Sequence, residues 1–207
     1  RRQRQMCIET DVTVNGNVTA TNEEVKVTTG SGDITTTGNI KGGTEVNVHS
    51  DNGAINIGDA SGNGIVNAGT NVNITTDSGA ITTTGAITGG SNVKVDAGTL
   101  GNVSLGGSVT ANTGNVDVET DSGTITTSGN VTGGNDVNVT SGSGAINLGG
   151  NVEAETGLVN VTTGSGSITT TGNVSGHKDV TLESVNGDIT VGGYTESEVE
   201  NVTANVK

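Results

Sequence analysis

A chain of 207 residues with 36 glycines, one tyrosine and no phenylalanine, tryptophan or proline cannot fill a globular core of ordinary thickness, because large side chains do that filling. Twenty-two acidic against eight basic residues give a net charge of −14, which repels phosphate backbones and argues against a nucleic-acid partner. The single cysteine, Cys7, leaves no intramolecular disulfide framework, and no apolar run approaches the roughly 18 residues of a membrane span.

The chain opens on a basic segment, residues 1–11, where Arg1, Arg2 and Arg4 hold three of the eight positive charges. From Val12 onward one phrase recurs. The aligned apolar residues are Val12, Ile34, Ile55, Ile81, Val103, Ile125, Ile146, Ile168 and Ile189, spaced 21 or 22 apart except for 26 between Ile55 and Ile81. They mark nine units of an internal repeat. Each unit continues with an apolar residue or threonine at +2, an apolar residue at +6, and an apolar pair at +12/+14 or +13/+15. Spacing of two is strand periodicity with one face buried. The Gly, Asn, Asp and Ser between these signals read as corner residues that tolerate positive φ.

Three short strands per repeat predict an all-β fold over residues 12–207: a parallel β-solenoid (β-helix) of about nine turns of 21–22 residues. Left-handed solenoids usually carry a hexapeptide repeat, so the expected hand is right. Units that begin I-T-T-T-G or I-T-T-S-G, from Ile34, Ile81, Ile125 and Ile168, alternate with units such as I-N-L-G from Ile146. The duplicated block is therefore two turns. The middle threonines Thr36, Thr83, Thr127 and Thr170 point inward in this register. Thr35, Thr37, Thr82, Thr84, Thr126, Ser128, Thr169 and Thr171 form an outward column, a candidate binding face.

Two phrases, GDITTTGNI from Gly32 and TTTGNVSGHKDVTLES from Thr169, resemble the repeats of filamentous-haemagglutinin-type exoproteins. The Ser-Gly-Asp-Ile start at Ser31 also resembles a group of bacterial adhesins built on that phrase. The resemblance covers about Val12 to Val191. It implies a right-handed β-helix, export, and an adhesive or fibrous role at a bacterial surface, extracellular or on the cell.

The irregular unit carries extra residues, an insertion loop over 58–65. Within it Asp59, Ser61, Asn63 and Gly64 match D-x-S-x-N-G, the start of a calcium loop, but Thr70 stands where the closing bidentate acid belongs. A polar corner loop without any cofactor is the competing reading. Thr-x-Thr pairs also suggest ice binding, yet they occupy only alternate turns. His49 and His177, both placed in corners, are too far apart in sequence to suggest a catalytic pair, so no enzyme is expected. The eight N-x-[ST] sequons follow from the out-in-out pattern itself and say little about glycosylation.

At the far end the register continues through Tyr194 to Val202 and Ala204. T-E-S-E at Thr195 also fits a capped short helix with Val199, Val202 and Val206 on one side. At the start, Met6 and Ile8 alternate directly into Val12. Arg1, Arg2 and Arg4 at one end and Glu196, Glu198 and Glu200 at the other are complementary. The expected function is a structural or adhesive element that self-associates end to end. The alternative is a ligand-binding face for glycan, a host protein or ice, for which a single aromatic residue is a poor endowment.

Overall fold

The computed structural model describes residues 7, 8 and 10–207, and every regular element in it is a β-strand. Twenty-eight strands run from β1 (Cys7–Ile8) to β28 (Val202–Val206) and form three sheets of parallel pairs. The first sheet has nine strands, β2 (Val12–Val14) to β26 (Ile189–Val191). The second also has nine, β3 (Val18–Ala20) to β27 (Thr195–Ser197). The third has ten, starting with β1 and β4 (Val25–Thr29) and closing with β28. The chain visits the sheets in that order once per turn, and each strand pairs with its equivalent one turn on. This is a β-solenoid of nine turns with three strands per turn. Successive turns lie about 4.8 Å apart.

The aligned residues stack in register; Ile125, for example, lies between Val103 and Ile146. One turn sends Ile125, Thr127, Val131, Gly133, Val137 and Val139 inward, all buried, with polar residues between them facing out. The core is thus a narrow column of Val, Ile, Leu and Ala, continuous along the axis. A parallel sheet normally needs cover on both faces. Here the three sheets cover one another on the inside and leave their outer faces to water.

The two-turn block is a packing device. At the +2 position of the first sheet Thr36, Thr83, Thr127 and Thr170 alternate with Ile57, Leu105 and Leu148. At the facing position of the second sheet Gly42, Gly89, Gly133 and Gly176 alternate with Ala68, Ala111 and Ala154. Threonine and glycine share one layer, Leu or Ile and alanine the next, so slim layers alternate with full ones. The end turns carry Val14 with Ala20 and Val191 with Ser197. Glycine also tightens the corner that follows. A Cβ on Gly133 would fall 2.5 Å from the Asp136 carbonyl oxygen, so in the regular units glycine accompanies a corner of three residues before the next strand. Ala111 and Ala154 are followed by four; Ala68, in the irregular unit, is followed by three. This difference produces the +12 and +13 spacings.

The corners overturn one expectation. No described non-glycine residue has positive φ, and among glycines only Gly16, Gly58, Gly62, Gly64 and Gly98 do. The corner Asn, Asp, Ser and Thr act instead through hydrogen bonds between turns. The Ser141 hydroxyl accepts from Gly144 N at 2.8 Å and donates to the Gly123 carbonyl of the preceding turn at 2.9 Å. Ser50, Thr76, Thr120, Thr163 and Ser184 repeat that double bond. Ala97 breaks the ladder, where the corner is one residue longer and Gly98 takes positive φ. At the other two corners the residue before a strand offers a side-chain oxygen to the backbone N–H of its equivalent one turn on. Asn130, Asn151 and Asn173 form one such run, at 3.0, 3.0 and 3.2 Å. Asn71, Asn92, Asn115 and Asp136 form another. Backbone groups that a sheet ladder cannot reach are satisfied in this way.

At the far end the strand alternative holds: Thr195–Ser197 and Val202–Val206 are β27 and β28, and neither is helical. Near the start, Ile8 does not run on into Val12. It belongs to β1, paired with β4 in the third sheet, whereas Val12 opens the first. Met6 lies outside the described residues.

Candidate functional surfaces

The first sheet presents one outward residue per strand. Thr35, Thr82, Thr126 and Thr169 occupy that column, half-buried, and alternate with Asn56, Ser104 and Asn147. Thr37, Thr84, Ser128 and Thr171 fall just past the strands, in the corner. There the Thr84 hydroxyl donates to the Asn63 carbonyl, and the Thr171 hydroxyl donates to the Gly149 carbonyl. Those two threonines tie turns together. Between the columns lies a shallow hollow lined by Thr126, Asn147, Leu148, Gly149, Thr169 and Thr171.

The insertion lies between β8 (Ile55–Ile57) and β9 (Val66–Ala68), outside the core. Its neck is closed: a Cβ on Gly64 would fall 2.5 Å from Gly58 Cα, and both glycines have φ of +106°. The Asp59 carboxylate turns back on its own loop, accepting from Ser61 N at 2.8 Å and from Asn63 Nδ2 at 2.9 Å. The Asn63 side-chain bond, with those from the Ser61 and Asn63 backbone, holds the Asp59 carboxyl below its ordinary pKa. Among the described residues no group of three or more His, Cys, Asp or Glu is placed to hold a metal ion.

His49 is not a corner residue. It lies within the strand Val46–Ser50 and faces outward, with Nδ1 2.8 Å from Thr75 Oγ1 and Nε2 3.0 Å from Asp51. His177 does lie in a corner, and its Nδ1 is 2.7 Å from Glu198 Oε2 in the next turn. Around it Glu153, Glu155, Ser175 and Glu196 line a small depression. Elsewhere Lys94 reaches Asp96 at 3.2 Å and Glu119 at 3.5 Å. Partial burial alone would lower the Lys94 pKa, but Asp96 and then Glu119 outweigh it and hold it above the ordinary lysine value.

Among the described residues the last turn gathers most of the exposed large apolar side chains. β26, β27 and β28 each have one sheet neighbour, and Tyr194, Val199 and Val206 are 54%, 61% and 55% exposed. Glu196 lies in β27, and Glu198 and Glu200 follow it, all three exposed. The complementary Arg1, Arg2 and Arg4 lie outside the described residues.

No family model, no curated protein and no solved structure matches the chain. The likeness to haemagglutinin-type repeats therefore stands on the repeat phrase and on the solenoid. The corner ladders were not part of the sequence reading, although they leave a signal: Ser or Thr three residues before the glycine that precedes each aligned isoleucine, as in Ser141 and Gly144.

Proposed function

We propose that this chain is a non-enzymatic structural element of the cell surface or extracellular space, adhesin-like in kind, that stacks head to tail with copies of itself. The observation that carries the reading is the last turn. Among the described residues β26, β27 and β28 each pair on one side only, and with a rim of exposed valines they offer a template for further strands of the same register. Arg1, Arg2 and Arg4 in the sequence are opposite in charge to Glu196, Glu198 and Glu200, and attraction between these unlike segments of two copies favours a heterologous contact, the kind that builds filaments when it does not close on itself.

Sedimentation and electron microscopy test this at low and high salt, with and without residues 1–5. Filaments are expected, forming more slowly at high salt and without the arginines. A monodisperse monomer at high concentration under all four conditions would overturn the proposal.

A further inference from the structure

We infer that Asn15 is a site of spontaneous self-modification, at which the backbone nitrogen of Gly16 attacks the side chain and the amide becomes a carboxylate. This holds whether or not the chains stack head to tail. Asparagine is followed by glycine at Asn15, Asn52, Asn63 and Asn186. Asn-Gly is the pair in which the attack meets least steric resistance, because glycine has no Cβ to crowd its own nitrogen.

The step is an internal substitution at the side-chain carbonyl. The glycine nitrogen gives up its proton and bonds to Cγ of the asparagine. The bond from Cγ to Nδ2 breaks, and the amide nitrogen takes up a proton and leaves as ammonia. Water then opens the five-membered imide at either carbonyl. One opening gives aspartate; the other gives isoaspartate, with the main chain routed through the side-chain carbons. No oxidant or reductant enters. The reaction needs a glycine N–H that is not held elsewhere and an asparagine side chain free to turn toward it.

Asn52, Asn63 and Asn186 fail both conditions. Gly53 N donates to Ser50 Oγ at 2.8 Å, and the Asn52 side chain accepts from Ser78 Oγ at 3.4 Å. Gly187 N donates to Ser184 Oγ at 2.8 Å, and Asn186 Nδ2 donates to the Gly164 carbonyl at 3.4 Å. Gly64 N donates to Asn39 Oδ1 at 3.1 Å, and Asn63 Nδ2 donates to Asp59 Oδ2 at 2.9 Å. Asn15 meets both conditions. It is exposed in the corner between β2 and β3, and among the described residues neither its side chain nor Gly16 N has a hydrogen-bond partner. The free N–H belongs to the corner itself: the equivalent Gly38, Gly85, Gly107, Gly129 and Gly172 leave theirs unbonded in turn after turn. What precedes those glycines is Thr, Ser or Gly, none of which carries an amide. Only the turn of Val12 puts asparagine there. Apart from Asp59 in the insertion, this corner has no charged side chain in any turn, so the product writes a new negative charge on the least charged edge of the stack. The altered backbone lies between strands, and the solenoid is expected to hold both forms.

The test incubates the folded chain at neutral and mildly alkaline pH beside the same chain unfolded in guanidinium. Amide loss at each asparagine is followed by peptide mapping with mass spectrometry. On folding, Asn52, Asn63 and Asn186 are expected to slow by about tenfold or more, the factor that one ordinary hydrogen bond withholds. Asn15 is expected to keep most of its unfolded rate. Ser50→Ala removes the acceptor of Gly53 N and is expected to raise the Asn52 rate about tenfold relative to Asn186, whose own glycine stays bonded and registers any general loosening. Protection of Asn15 on folding as strong as that of the other three would overturn the assignment. So would an unchanged ratio of Asn52 to Asn186 in Ser50→Ala, because the glycine hydrogen bond would then not select the site.

Discussion

Four core threonines offer the sharpest stability experiment. Thr36, Thr83, Thr127 and Thr170 are buried at 0 to 2% exposure, and none of their hydroxyls has a hydrogen-bond partner among the described residues. Thr127 lies between Leu105 and Leu148 in the first sheet, and its hydroxyl oxygen is buried without a partner among the described residues. A buried hydroxyl left without a partner costs about 1–3 kcal/mol. Valine keeps the β-branched shape and replaces that oxygen with a methyl group, so Thr127→Val should stabilise by at least about 1 kcal/mol. The four sites are two turns apart, about 10 Å, far enough for their effects to add. The quadruple valine variant should therefore gain about 4 kcal/mol or more. For a chain of this size that corresponds to a rise in Tm of roughly 8–16 °C. Calorimetry with guanidinium titration measures both quantities, and Thr126→Val on the outer face is the control, expected within about 0.5 kcal/mol of the parent. A quadruple variant that melts at or below the parent would show that the hydroxyls are satisfied, and would refute the reasoning.

Other substitutions test the register, the corners and the loop. Ile125→Asp places an unpaired charge in the core at a residue with no exposure and should abolish the cooperative transition, whereas Thr126→Asp should be mild; equal effects would reject the register. Ser141→Ala removes one partner from two buried hydrogen bonds and should lose about 1–3 kcal/mol in denaturant titration. Ser141→Thr should be tolerated, because Thr120 and Thr163 make the same bonds one turn to either side. Deleting Asp59–Asn63 joins Gly58 to Gly64, whose backbones already touch, and should leave circular dichroism and melting nearly unchanged. Calcium-dependent melting of the intact protein that disappears on this deletion would instead assign the loop as a metal site.

The fold was legible because a thin core repeats. Ile125, Val131 and Val137 recur turn after turn, and period-two spacing leaves no other regular structure for them. Outward surfaces were less legible, because the same Asn or Thr can face water or bridge two turns. Thr84 and Thr171 look like members of a free rank in sequence, but their hydroxyls are committed to the turn beside them. Corner chemistry was misassigned for a related reason. Asn130 and Asn151 suit a left-handed residue by composition, whereas stacking makes the next turn's N–H the better partner. His49 was placed in a corner because polar residues surround it, yet Val46 and Val48 carry the strand through to Ser50.

The spacing and direction of the strands in an electron cryomicroscopy reconstruction of assembled filaments test the account most directly. Turns stacked end to end give layers about 4.8 Å apart along the filament, with strands perpendicular to its axis. The end-to-end account would be contradicted by filaments whose strands do not lie across the axis, or by a protein that remains a single particle at every concentration.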